Sequence, residues 1–400
     1  MKEYKVQPLD LMQAVNAKYH EPFIHEAIEF ENLPDGRRFS DALGRLAEAF
    51  PLLKCRYDAA RNVFAEREGF TVGDILKRSE AGRTALLTES LDPEEKLVQF
   101  TFSRNLLAVT VSHLLCDGSG FKKLLFLLCD FYNGKEADLS RLMNREFSCL
   151  TAEGKGGAGA TVKMLCSVLG GYKNGKIYEK TDNEAVFLVE KRISAEKMEE
   201  VHAAAKRAGA TLNDVFLTAY ARAVSRLYRR KKINLPCTVD LRKYAKGNAG
   251  IANLTGTYNL NVKIDVRAGF SESLCDVARK MQKQKSTKND LAGPMLLVSQ
   301  YGKTTTEKFI KRYGGMNTSP FTDYTNLGKI DEKKLVFADA PVKNAVGYGG
   351  LNKAPYFQLA VSTFRGETTL SGMFRCGEKE REKAETLIGA VAEEIGSFPG

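Results

Sequence analysis

The segment Leu106–Leu128, LLAVTVSHLLCDGSGFKKLLFLL, decides the fold, because a strand, a turn and a helix follow one another within it. Apolar side chains alternate from Leu107 to Val111, which is typical of a β-strand. Asp117-Gly118 marks a turn, and the apolar spacing from Phe121 to Leu128 is that of a helix. His113 ends the apolar row, so the pattern predicts an imidazole that faces inward at the end of the strand.

Strand and helix patterns alternate on both sides of this segment, which indicates an α/β (α+β) fold. The glycine- and lysine-rich stretch 151–185 separates the two halves, and 400 residues exceed what one core usually serves. We therefore expect an N-terminal lobe over 1–155, a linker over 156–185 and a C-terminal lobe over 186–400. The glycines of Gly347–Gly350 predict a loop that covers the site between the lobes.

Composition excludes several classes of protein. A hydrophobic content of 43% and a charged content of 27% are those of a folded domain. Eight scattered cysteines without a CxxC pair, together with four histidines, predict free thiols and no metal site. No signal peptide or membrane span is visible, so we expect a cytoplasmic protein without stable membrane insertion.

The net charge of +11 would attract a polyanion, such as nucleic acid, a membrane surface, a phosphorylated cofactor or an acidic protein. The basic residues are nevertheless spread along the chain. Charge alone therefore does not indicate nucleic-acid binding.

His113 and Asp117 form the one constellation that could carry chemistry. A neutral imidazole could take a proton from a hydroxyl, an amine or a thiol. Asp117 could contact that imidazole, or a basic residue could hold it away to fix the loop. Gly118 permits a sharp turn and leaves room for a ligand near the backbone. Spacing alone is equally consistent with a histidine that only packs in the core.

The pattern His113-x-x-x-Asp117-Gly118 resembles the HxxxDG signature of the coenzyme A-dependent acyltransferase superfamily. That superfamily includes chloramphenicol acetyltransferase, alcohol acetyltransferases and the condensation domains of nonribosomal peptide synthetases. Further segments resemble other motifs of the group over residues 5–395: Phe50–Tyr57, Thr211–Val215, Val239–Arg242 and Thr325–Gly328. The motif ends the first third of the chain, as in two-lobed members. Ser112 stands where condensation domains carry a second histidine, which argues against peptide-bond formation.

The resemblance implies two chloramphenicol acetyltransferase-like lobes, each a mixed sheet flanked by helices, with an active-site tunnel between them. His113 would be the general base of an EC 2.3.1-type acyltransferase that moves an acyl group from a coenzyme A thioester to a hydroxyl or amine, without an acyl-enzyme. Asp117 would be structural, paired with Arg242 or Arg56, with Lys54 as a third candidate. The developing oxyanion would meet the Gly118 N–H or a side chain from the set Thr255, Asn259, Thr325 and Asn326.

The resemblance also implies the partners. Acyl-CoA or acyl-phosphopantetheine would be a co-substrate, no cofactor would be tightly bound, and the acceptor would be a small molecule. An acidic acyl carrier protein is a further partner, and a two-lobed pseudodimer is expected to be a monomer. Two alternatives stay open: a free-standing condensation-type enzyme with a carrier-bound donor, and an inactive binding module of the same fold.

Ordinary packing or surface roles are predicted for four other residues: His20, His25, His202 and Cys116.

Overall fold

The computed structural model describes residues 2–17, 19–150, 175–182, 184–316 and 322–398, without the side chains of 313–316. The helices of this part, α1 to α10 in chain order, are Pro8–Asn16, Gly36–Ala49, Arg83–Leu87, Gly118–Tyr132, Ala195–Arg207, Leu212–Tyr228, Phe270–Ser286, Ala292–Gln300, Thr306–Met316 and Glu378–Ser397. The strands, β1 to β15, are Glu3–Lys5, Phe23–Phe30, Cys55–Asp58, Val63–Glu66, Leu76–Arg78, Val98–Ser103, Leu106–Ser112, Ala185–Ile193, Lys232–Asp240, Thr255–Lys263, Thr322–Ile330, Val342–Tyr348, Asn352–Lys353, Phe357–Phe364 and Glu367–Cys376.

The first large sheet has the strand order β12-β2-β7-β6-β5. Every residue of β7 is buried, and β7 lies antiparallel to β2, with Phe23 opposite Ser112. Helices α2 and α4 contact each other, and their apolar faces join the core of this sheet. The β7–α4 connection that the sequence predicts is therefore confirmed, and it places His113 immediately beyond the end of the strand.

The second large sheet has the order β10-β9-β11-β14-β15, with β8 and β13 both paired to β15. It is mixed, because β11 is parallel to β9 and β14 whereas β9–β10, β14–β15 and β8–β15 are antiparallel. Helices α5, α6, α7 and α10 contribute to a separate apolar core. Ser194 and Thr211 cap α5 and α6 through their side-chain oxygens, as the sequence predicts for Ser194. Two mixed sheets flanked by helices thus confirm the predicted fold class.

Strand β12 links the two halves of the molecule. It comes late in the chain but pairs antiparallel with β2 of the first sheet, with Val346 opposite Ala27. The loop predicted for Gly347–Gly350 is therefore wrong at its start, because Gly347 and Tyr348 end a buried strand. At Gly350 the chain passes so close to Glu21 that an added Cβ would lie 2.0 Å from its carbonyl oxygen.

The lobe boundaries at residues 155 and 186 stay predictions. Most of the proposed 156–185 linker falls outside the described residues, which resume at 175. Among the described helices, none has the length and apolar character needed to cross a membrane.

Candidate active site

Asp117 is fixed by the start of α4 and by the second half of the chain. As the N-cap residue, its Oδ1 accepts a hydrogen bond of 2.8 Å from the Gly120 N–H. Its Oδ2 accepts from the Leu254 N–H at 2.7 Å and from Arg242 Nη1 at 2.9 Å. The Asp117 side chain is only 2% exposed. Its oxygens therefore serve the architecture of the turn, which is the second of the two roles that the sequence allows.

Arg242 is the ion-pair partner of Asp117. It lies in a short turn after β9, and its Nη2 also donates to the Ala252 carbonyl at 2.8 Å. Burial alone would lower the pKa of Arg242, but the charge of Asp117 outweighs this and raises it. The alternative partners are wrong: Arg56 lies on β3 in the small three-stranded sheet, and Lys54 pairs with Glu48.

The His113 imidazole is oriented by Asn253. The backbone N–H of His113 donates to the Pro22 carbonyl at 2.7 Å. The ring Nδ1 of His113 lies 3.1 Å from Asn253 Oδ1. Asn253 Nδ2 donates to Asp10 Oδ1 and to the His113 carbonyl, both at 2.8 Å, which fixes the amide so that its oxygen faces the ring. Because that oxygen only accepts, Nδ1 carries the ring hydrogen. The lone pair of the neutral ring is then on Nε2.

A buried ion pair supports this amide. Asp10 accepts from Arg145 Nη2 at 2.9 Å, and the two side chains are 1% and 5% exposed. Arg145 also donates to the carbonyl of Leu115, within the motif, and to that of Ile251, two residues before Asn253. Burial raises the pKa of Asp10, whereas the Arg145 charge and the Asn253 hydrogen bond act in the opposite direction. The charge of Arg145 and the hydrogen bond from Asn253 therefore favour the ionised carboxylate against the effect of burial.

Sequence reasoning missed Asp10, Arg145 and Asn253. Asp10 looks like an ordinary first-turn acid of α1, and it does close a capping box with Gln7. The three residues come from positions far apart in the chain. No local spacing signals that they meet at one histidine.

Burial is the main cause that lowers the pKa of His113, and the negative charge of Asp117 opposes it. His20 is close enough for its own charge to lower the pKa of His113 further. His20 itself is partly buried, and its Nδ1 lies 3.1 Å from the Glu21 carbonyl oxygen. His25 is buried, and its Nδ1 shares a hydrogen bond with Thr110 Oγ1. Burial lowers the pKa of His25 to about 3. Burial raises the pKa of the Cys116 thiol, which disfavours the thiolate that a nucleophile needs.

The oxyanion candidates lie at different places. Gly118 is the first residue of α4, where backbone N–H groups lack intrahelical partners, and Thr255 directly follows Leu254 at the start of β10. Asn326, on β11, donates to Asn213 Oδ1 at 3.0 Å, so its amide joins β11 to the start of α6. Asn259 and Thr325 lie on β10 and β11, opposite Pro236 and Ala360. Their catalytic roles stay predictions.

Asn253→Ala is expected to lower kcat about 10- to 100-fold, because the ring would lose the contact that selects its tautomer. Asn253→Asp places a carboxylate at the same position and should raise the pKa of His113, so the acid limb of the pH–rate profile would move to higher pH. Steady-state kinetics across pH would measure both effects. An unchanged profile in both variants would show that Asn253 does not position the ring.

A cavity of about 340 Å³ lies between the start of α6 and α7, away from these residues. Its lining includes Thr211, Asp214 and Arg279 but none of the predicted site residues. The tunnel through His113 stays a prediction.

No protein-family model matches the sequence, and no curated protein matches it. Many solved structures match, and three of them cover almost the whole chain and are themselves covered almost completely. The condensation domain of the monacolin K polyketide synthase MokA has a TM-score of 0.69 at 12% identity, covering 100% of this chain and 98% of that one. The trichothecene 15-O-acetyltransferase of Fusarium sporotrichioides has a TM-score of 0.73 at 13% identity, covering 98% and 95%. The epimerization domain from the third module of tyrocidine synthetase B has a TM-score of 0.64 at 13% identity, covering 99% and 97%.

These likenesses concern the fold, because the identities are low, and the three proteins are named for three different reactions. They nevertheless agree with the recognition made from the HxxxDG motif. The chain therefore has the fold that this condensation domain, this acetyltransferase and this epimerization domain share.

Proposed function

We propose that this protein is an acyltransferase that moves an acyl group from a coenzyme A thioester to a hydroxyl or amine acceptor. The observation that carries the proposal is the His113 ring, whose Nδ1 faces Asn253 Oδ1 and whose Nε2 therefore holds the lone pair. A general base needs this neutral form, and burial favours it. An acetyltransferase among the proteins of the same fold supports the reaction class.

In the proposed reaction His113 Nε2 removes the acceptor proton while the acceptor oxygen or nitrogen attacks the thioester carbonyl. The tetrahedral intermediate places negative charge on the former carbonyl oxygen, which the Gly118 N–H at the start of α4 would stabilise. Collapse breaks the carbon–sulfur bond. The imidazolium then returns the proton to the thiolate, so the histidine ends the cycle neutral and no acyl-enzyme forms.

A carrier-bound donor is the second candidate. Two of the three structures named above are domains of a polyketide synthase and of a peptide synthetase. Such systems tether acyl groups to acidic carrier proteins, and a net charge of +11 suits either an acidic carrier or coenzyme A. Ser112, in place of a second histidine, still argues against peptide-bond formation.

A thiol-release assay with a panel of acyl-CoAs and mixed alcohols and amines tests the first candidate. Product formation with a CoA thioester supports it. Transfer only from an acylated carrier protein would support the second candidate instead. If the folded protein transfers an acyl group from none of the donors, the result would support the third interpretation, an inactive binding module of the same fold.

A further inference from the structure

Glu26 is a buried carboxyl group that the proposed reaction does not use. It lies on β2, opposite Val109 of β7, and is 3% exposed. Among the described residues its Oε1 has no hydrogen-bond partner. A buried polar atom without a partner costs about 1–3 kcal/mol, so such an atom calls for an explanation.

The positive charge that acts on Glu26 belongs to Lys122, whose ammonium group donates its hydrogen bonds to other residues. Lys122, one turn into α4, influences the carboxyl electrostatically, but its Nζ donates to the carbonyls of Leu327 at 2.7 Å and Lys329 at 3.4 Å. Its ammonium group therefore ties α4 to β11 and does not neutralise Glu26 through a salt bridge. The carboxyl is left for another partner.

One side chain connects this carboxyl to the HxxxDG motif. A Cβ added to Gly347 would lie 3.1 Å from Glu26 Oε2 and 3.0 Å from Leu327 Cδ1. A Cβ added to Gly118 would lie 3.1 Å from Leu327 Cδ2. The Leu327 side chain thus lies between two glycines, with the motif on one side and Glu26 on the other. For an elongated molecule to reach both, this apolar side chain has to shift.

The distance to His113 follows from the strand. Val109, opposite Glu26, precedes His113 by four residues, which corresponds to roughly 13 Å along an extended chain. A substrate that reaches Glu26 while it reacts at His113 is therefore elongated.

We propose that Glu26 is a specificity-determining residue that hydrogen-bonds to a neutral polar group, a hydroxyl in the first instance, far along an elongated substrate from its reacting atom. This inference rests on the proposed acyl transfer for the identity of the reacting atom. The hydroxyl belongs either to the acceptor or to the far end of the acyl chain, because the same chemistry serves both.

A neutral partner suits this carboxyl better than a charged one. Burial raises the pKa of Glu26 to about 8, although the charge of Lys122 opposes the shift. At neutral pH the group is mainly protonated, so it can both donate and accept a hydrogen bond. A hydroxyl has the same double capacity.

Two matched pairs of probes test the proposal by calorimetry: octanol against its terminal diol, and octanoyl-CoA against its terminally hydroxylated counterpart. The wild-type protein should bind the hydroxylated member of one pair about 10-fold more tightly. Glu26→Leu should abolish that preference, whereas Glu26→Gln, which can still donate and accept, should keep most of it. The pair that shows the preference identifies the substrate.

The same titrations in a His113→Ala background separate this proposal from the reaction, because they need no turnover. Glu26→Leu should melt at the same temperature as the wild type or higher, since it removes an unpartnered buried group. A large loss of stability would instead make Glu26 a structural residue. A preference that survives in Glu26→Leu, or a wild-type protein that distinguishes neither pair, would overturn the proposal.

Discussion

Replacing His113 with alanine is expected to slow acyl transfer by about 10²- to 10⁴-fold, because the acceptor would lose the base that removes its proton. The ring is partly buried at the end of β7, and the variant removes no charge at neutral pH, so the fold should persist. Thiol release from the best acyl-CoA donor measures the effect. His202→Ala, on the exposed surface of α5, is the matched control and should keep wild-type activity.

The pH dependence gives an independent check on the same residue. Since burial lowers the pKa of His113, its neutral form persists as the pH falls below 6.5, the ordinary value for histidine. The acid limb of the rate–pH profile should therefore have its midpoint below pH 6.5. A decline already centred above pH 7 would contradict a buried neutral base. A wild-type rate of acyl transfer in His113→Ala would show that His113 is not the general base.

Replacing Arg242 with leucine is expected to lower the free energy of unfolding by about 3 kcal/mol, because it leaves the Asp117 carboxylate buried without its cation. The magnitude is at the lower end for a broken buried pair, since the Arg242 side chain is 18% exposed. Denaturant titration measures it. Transfer activity should fall as well, because the pair fixes the turn that holds Gly118.

Arg56→Leu is the control for this prediction, since Arg56 is the other arginine that the resemblance proposes as the partner of Asp117. It lies on β3, away from Asp117, and its substitution should change stability by less than about 1 kcal/mol. The double variant Asp117→Asn with Arg242→Leu should recover part of the loss, because the buried charge is gone while Asn still caps α4. Equal losses in Arg242→Leu and Arg56→Leu would show that the ion pair is unimportant.

The parts of the site that the sequence predicts are those set by local periodicity and motif. Strand β7, the turn at Asp117 and helix α4 follow from side-chain spacing over about twenty residues. The resemblance to the superfamily narrows the partner of Asp117 to Arg242 or Arg56, with Lys54 third, and the structure shows that the partner is Arg242. In each case the signal is contained in a short stretch of chain.

The parts of the fold and of the site that sequence reasoning missed depend on contacts between residues far apart in the chain. Asn253 and Asp10 are 243 residues apart, and their hydrogen bond forms only after both halves of the molecule have packed. Strand β12 was missed because Gly347, together with the two glycines that follow the strand, suggests a loop. In the folded protein Gly347 instead allows close approach of Glu26 and Leu327, which is a tertiary requirement that local propensity does not report.

The position of β12 bears on how this protein could be divided or recombined. A fragment that ends near residue 155 would lack the strand that covers the outer edge of β2, and an exposed strand edge of buried residues promotes aggregation. The two halves are therefore not interchangeable modules along the linear chain. A chimera that exchanges the first half with that of another protein of this fold has to transfer residues 342–348 together with it.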